Sequence, residues 1–127
     1  MEELYREIIL DHYANPRNKG ALEKPTKTAV DWNPLCGDKI KIDLELNSKG
    51  TLEQIRFNGE GCAISQASAS MLTEKVQGMS AKKIAKLKEA DIIEMLNVSI
   101  SPARKKCALL AWLVLRKALA LPKLQSK

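Results

Sequence analysis

Residues 39–46 alternate without a break. Ile40, Ile42, Leu44 and Leu46 fall on one side, and Lys39, Lys41, Asp43 and Glu45 on the other. That period of two predicts a half-buried antiparallel strand. Asn47-Ser48-Lys49-Gly50 has the composition of a hairpin connection, and residues 51–57 alternate again with Leu52, Ile55 and Phe57 apolar. The spacing slips by one there, which predicts a bulge. Residues 27–32 read as a short first strand closed by Asn33-Pro34, and Asn58-Gly59-Glu60-Gly61 as a turn after the last one.

The period changes on either side of these strands. Residues 2–14 carry a helical stripe of Leu4, Ile8 and His12, with Tyr5 and Ile9 beside it, and Asn15-Pro16-Arg17-Asn18-Lys19-Gly20 ends it. Residues 62–77 predict a helix rich in small side chains, stopped by Gly78. Ser80 is placed as the cap of a short basic helix with Ile84 and Leu87 inward, and Asp91 as the cap of another. Ser101-Pro102 opens a last helix, since proline is tolerated in a first turn, and it is expected to run to about Leu121, with Pro122 as its stop. The tail Lys123 to Lys127 is expected to fray. Strands grouped together and helices grouped after them argue for an α+β fold. Nothing marks an internal boundary, so residues 1–127 are read as one domain.

Composition narrows the function classes. Hydrophobic residues make up 45% of the 127 positions and aromatics only 4%, so the core must be mostly aliphatic. The densest apolar run, Cys107 to Leu115, is far short of the roughly 18 residues of a membrane span. The start, Met1-Glu2-Glu3-Leu4, lacks the basic-then-apolar order of a signal peptide, so a cytoplasmic location is expected. Net charge is +6, but the lysines are scattered and not interleaved with aromatics. That argues against nucleic acid as the main ligand and for a solvated or partner-docking face.

The three cysteines form no CxxC pair, and an odd count in a reducing compartment points to free thiols or metal ligands. Cys36 lies in Pro34-Leu35-Cys36-Gly37-Asp38, where Gly37 frees the backbone for Cys36 and Asp38 to face one point. Cys62 stands at a predicted helix start, where unpaired N–H groups favour a thiolate. Cys107 has Arg104, Lys105 and Lys106 beside it in sequence, which would favour the anion too, yet Ala108-Leu109-Leu110-Ala111-Trp112 after it looks like core. Three thiolates and one carboxylate are the number a tetrahedral zinc site takes, and thiolates also hold iron–sulfur clusters. Buried inert cysteines are the plainer alternative on spacing alone. His12, the only histidine, could be a ligand or base, but a satisfied structural histidine is the plainer reading. Glu60 reads as a turn residue before a catalytic one, and Arg104 as either a surface arginine or a group steering an anionic partner.

Four segments together resemble a known family. They are Ile9-Leu10-Asp11-His12-Tyr13 with Asn15-Pro16-Arg17-Asn18; Asn33-Pro34-Leu35-Cys36-Gly37-Asp38; Gly59-Glu60-Gly61-Cys62-Ala63-Ile64-Ser65; and Ala103-Arg104-Lys105-Lys106-Cys107. In this order they are similar to the iron–sulfur assembly scaffold family of IscU, SufU and the N-terminal part of NifU. The resemblance implies a three-stranded antiparallel sheet with helices packed on one side. It implies a site of Cys36, Asp38, Cys62 and Cys107, with Arg104 beside it. It also implies sulfur received at Cys36 from a cysteine desulfurase, bound zinc or a transient [2Fe–2S] cluster, and apo iron–sulfur proteins downstream. Lys106 stands where the IscU branch has histidine, and Ser101-Pro102-Ala103-Arg104-Lys105 replaces its Leu-Pro-Pro-Val-Lys signal. Arg104 and Cys107, spaced by two residues, and the Gly-Glu-Gly-Cys segment look like SufU. The SufU insertion between the second and third cysteines is missing, so zinc-dependent sulfur transfer and an IscU-type cluster scaffold both stay open.

Overall fold

The computed structural model describes residues 2–122. Helix α1 (Glu2–Ala14) is followed by strands β1 (Lys27–Asn33), β2 (Asp38–Leu46) and β3 (Leu52–Glu60). Helices α2 (Ala63–Val76), α3 (Ala81–Ala85), α4 (Glu89–Leu96) and α5 (Pro102–Ala118) complete the chain. The sheet is an antiparallel meander in the order β1-β2-β3. The expected α+β class therefore holds, with strands grouped ahead of helices.

The strict alternation of β2 has a direct outcome. Ile40, Ile42 and Leu44 are fully buried, joined by Leu52, Ile55 and Phe57 of β3. Helices α2 and α5 cover this face, bringing Leu72, Val76, Leu110, Val114 and Leu115 onto it. The opposite face carries Lys39, Lys41 and Asp43 of β2 beside Val30 and the exposed Trp32 of β1, and the segment before β1 covers Asp43. There Asp43 accepts hydrogen bonds from Leu22 N at 3.1 Å and from Thr28 Oγ1 at 2.6 Å. The outer edge of β3 is closed by the segment after α1: Gly20 N donates to Phe57 O at 2.8 Å, and Phe57 N to Asn18 O at 2.9 Å. A covered edge cannot recruit another strand. The predicted slip is real: Glu45 pairs with Gln54 but Leu46 with Leu52, which leaves Glu53 of β3 without a partner across on β2.

The small residues of α2 allow close approach on two sides. Ser68 Oγ donates to Ala108 O of α5 at 2.7 Å. On the α1 side, Ser70 Oγ lies 2.7 Å from His12 Nδ1 and accepts from Arg17 N at 2.9 Å. His12 is thus a buried packing residue between two helices. Burial holds its pKa below the usual histidine value, and the nearby Arg17 guanidinium acts the same way.

Several details depart from the sequence reading. Leu4 is exposed, so the inner stripe of α1 is Tyr5, Ile8, Ile9 and His12. Asn58-Gly59-Glu60 is strand rather than turn, paired with Lys39, Ile40 and Lys41. Gly59 makes that possible, because a Cβ there would overlap the Lys39 carbonyl oxygen. Helix α4 begins two residues before Asp91, which instead accepts from Lys88 N at 2.7 Å in the first turn. Helix α5 ends at Ala118, and Ala120 turns left-handed with φ 56°. The tail Lys123 to Lys127 lies outside the described residues.

Candidate metal centre

Four chain segments meet at one end of the sheet. The β1–β2 hairpin is short because Asn33 and Asp38 pair directly across it. Cys36 N donates to Asn33 O at 3.2 Å to close the turn, and Gly37 completes it with φ 67°, a conformation that suits glycine. The turn leaves Cys36 exposed at its tip and Asp38 only 1% exposed at its base. Leu35, beside Cys36, is 78% exposed.

The chain leaving β3 comes back onto Asp38. Gly61 has φ 144°, and a Cβ on it would collide with the Asp38 carboxylate. That contact lets Cys62 N donate to Asp38 Oδ1 at 2.8 Å. Cys62 is the N-cap residue of α2, and its sulfur lies 3.9 Å from Asp38 Oδ2. Cys107 enters from the second turn of α5, which packs on β1 and β2, and is fully buried. Its sulfur lies 3.0 Å from that of Cys36. A disulfide closes at about 2.05 Å, so the two are free thiols in contact.

Ligand atoms of Cys36, Asp38 and Cys107 all lie within 4.8 Å of one another. Cys62 stands at the edge of this group, tied to it through Asp38. Soft sulfur donors and one carboxylate, gathered at the rim of the core, fit a soft divalent metal or a thiolate-held cluster. The four residues come from one hairpin, which carries Cys36 and Asp38, and from the starts of two helices, which carry Cys62 and Cys107.

The charge environment of Cys107 differs from the sequence expectation. Its thiol is pushed far above the ordinary cysteine value, first by burial and then by hydrogen bonding with Cys36, Asp38 and Cys62. The neighbouring cations do not counter this because they point away. Lys105 Nζ pairs with Glu89 at 3.4 Å, and Arg104 and Lys106 are exposed. Without a metal ion, Cys107 is a protonated core thiol.

Of the other candidates, His12 is held by Ser70 and lies 3.7 Å from Glu74, away from the thiols. Glu60 is exposed at the end of β3. Arg104 lines a groove of about 300 Å³ with Arg6, Ile9, Leu10, Ala63 and Ile64, next to the residue after Cys62. One residue was missed in the sequence. Asn33 is 6% exposed, and its Nδ2 donates to Cys107 Sγ at 3.6 Å. The sequence held no signal for it: Val30 and Trp32 alternate with Asp31 and Asn33, a pattern that would turn Asn33 outward, and the strand packs the other way.

The model of the NifU-like N-terminal domain family matches residues 4–126. The chain is 41% identical to the zinc-dependent sulfurtransferase SufU of Bacillus subtilis, over 94% of this chain and 92% of that protein. That alignment spans 138 positions, more than the 127 residues here, so the relative carries residues this chain lacks. It is 34% identical to the iron–sulfur cluster assembly scaffold protein IscU of Escherichia coli K12, over 91% of each. Among solved structures, a putative iron–sulfur cluster assembly scaffold protein for the SUF system from Fervidobacterium islandicum superposes with a TM-score of 0.77 at 28% identity. That match covers 93% of this chain and 98% of the other.

Proposed function

The chain belongs to the NifU-like N-terminal domain family, and from that premise we propose that it is an iron–sulfur cluster assembly protein that accepts persulfide sulfur at Cys36. The observation that carries the reading is the convergence of Cys36, Asp38 and Cys107 within 4.8 Å, with Cys62 bonded to Asp38 from the side. Cys36, Asp38, Cys62 and Cys107 are the residues that would hold zinc. Zinc, when bound, supplies the positive charge that keeps buried sulfur as thiolate. Asp38 is the hard ligand among soft ones, which suits an exchangeable position.

The transfer itself needs an accessible sulfur. Cys36 sits on an exposed turn with Gly37 beside it, whereas Cys107 is sealed in the core. The Cys36 thiolate bonds to the outer sulfur of a persulfide on a cysteine desulfurase. The S–S bond of that persulfide breaks, and the desulfurase cysteine departs as a thiolate. One sulfur atom moves, no external oxidant or reductant is consumed, and the proton from Cys36 goes to solvent. The net positive charge and the exposed Leu35 beside Cys36 favour docking of a partner of that kind. Apo iron–sulfur proteins would be the final acceptors. No helix among the described residues is long and apolar enough to cross a membrane.

A scaffold that assembles a [2Fe–2S] cluster as cargo on the same thiols is the second reading, favoured by the likeness to IscU over most of both chains. Metal analysis with anaerobic iron and sulfide reconstitution separates the two. One zinc per chain, lost in Cys36→Ser, Asp38→Ala, Cys62→Ser and Cys107→Ser, and no chromophore on reconstitution, supports transfer. A coloured cluster passed to an apo-ferredoxin, with release slowed in Asp38→Ala, supports the scaffold. A protein that binds neither sinks both.

A further inference from the structure

Asn33 touches the site in three ways. Its backbone oxygen accepts from Cys36 N at 3.2 Å and so closes the turn that carries Cys36. Its Cα is paired across the hairpin with Asp38. Its side-chain Nδ2 reaches Cys107 Sγ at 3.6 Å, a normal N–H···S separation given the size of sulfur. The following Pro34 keeps Asn33 extended, and the alternation of β1 turns it toward α5. An amide buried to 6% exposure seeks a partner, and among the described residues the partner of its N–H is this sulfur.

We propose that Asn33 is a positioning residue of this site, whose side-chain amide donates to Cys107 and makes it the fixed, electron-poor sulfur, leaving Cys36 as the sulfur that moves. The inference rests on the reading that these thiols hold a metal. A donor aimed at a ligand sulfur draws electron density from it and fixes its orientation, as outer partners of metal ligands do. The side-chain donor that reaches Cys36 is the Cys107 thiol itself, at 3.0 Å, a contact that ends once both sulfurs bind a metal as thiolates, and Cys36 sits exposed on the turn. The two sulfurs 3.0 Å apart are therefore unequal by construction: one is held by strand and helix, the other by a turn alone.

Cobalt(II) substitution of the full chain tests this, because thiolate-to-cobalt charge-transfer bands report electron density on sulfur. Asn33→Leu keeps the branched shape of asparagine and removes the donor; Asn33→Ala removes both. In both variants the charge-transfer band is expected to move to lower energy, and cobalt affinity by chelator competition to fall roughly ten-fold. A merely space-filling Asn33 would be rescued by leucine, so an unshifted band in Asn33→Leu overturns the proposal while leaving the metal site intact. If the wild-type protein shows no thiolate-to-cobalt band, the metal reading fails and this proposal with it.

Discussion

Gly61 is where backbone conformation and site geometry depend on each other most directly. A Cβ there would overlap the Asp38 carboxylate oxygen and lie 2.9 Å from Asp38 Cα. Gly61→Ala therefore has to displace either the start of β2 or the chain entering α2, and either motion breaks the Cys62 N–H bond to Asp38. Two costs combine. Holding a non-glycine residue at φ 144° costs about 1–3 kcal/mol. Losing a part-buried hydrogen bond to a carboxylate costs about 1.5–3 kcal/mol. The sum is about 2.5–6 kcal/mol. Gly50 provides the comparison, because it has φ 81° but nothing within 4 Å of a Cβ. Gly50→Ala should cost only the conformational part, about 1–2 kcal/mol. Urea denaturation of the metal-free proteins gives both values, and zinc competition with a chromophoric chelator reads the site. Gly61→Ala is expected to lose at least about 1.5 kcal/mol more than Gly50→Ala and to bind zinc more weakly, while Gly50→Ala binds normally. If the two variants match in stability and both hold zinc like the wild type, the reasoning about the Gly61–Asp38 contact is wrong.

Other expectations follow from single contacts. The folded pKa of His12 lies below its unfolded value, so the unfolded chain takes up a proton first. Stability should be complete above pH of about 6.5 and decline as pH falls below it; in His12→Gln, that part of the decline measured by urea titration at several pH values should be absent. In the metal-free protein Cys36 should alkylate fastest and Cys107 more than about ten-fold slower, given its burial and raised pKa; equal rates by mass spectrometry would contradict the described packing. Ser68→Ala removes the bond to Ala108 O that ties α2 to α5, and should lower stability by about 1 kcal/mol in a thermal melt. An unchanged melting temperature would show that this bond does not stabilise the helix pair.

The sheet was legible because β2 obeys one rule without exception: its apolar residues alternate, and one face is buried. The bulge was legible for the same reason, as a break in period. The end of β3 was not, because Asn58-Gly59-Glu60 has turn composition and only tertiary pairing with Lys39–Lys41 makes it strand. In α1 the stripe was right except at its first member: Leu4 is as apolar as Ile8, and only the docking on α2 leaves it exposed while Tyr5, Ile8, Ile9 and His12 turn inward. Spacing could not join Cys36, Cys62 and Cys107, because their meeting depends on how α5 lies across β1 and β2. The residue-level reading of Cys107 as core was accurate as to burial, and its contact with the Cys36 sulfur shows that the two descriptions are compatible. The likeness to the assembly family supplied what spacing lacked. Asn33 escaped because an asparagine before proline at a strand end reads as turn chemistry.

The central claim is that Cys36 receives the sulfur. Incubating the purified protein with a cysteine desulfurase and cysteine, followed by peptide mass spectrometry, tests it most directly. A persulfide on Cys36, absent in Cys36→Ser together with loss of desulfurase stimulation, is the predicted result. Sulfur acceptance and desulfurase stimulation unchanged in Cys36→Ser would contradict it.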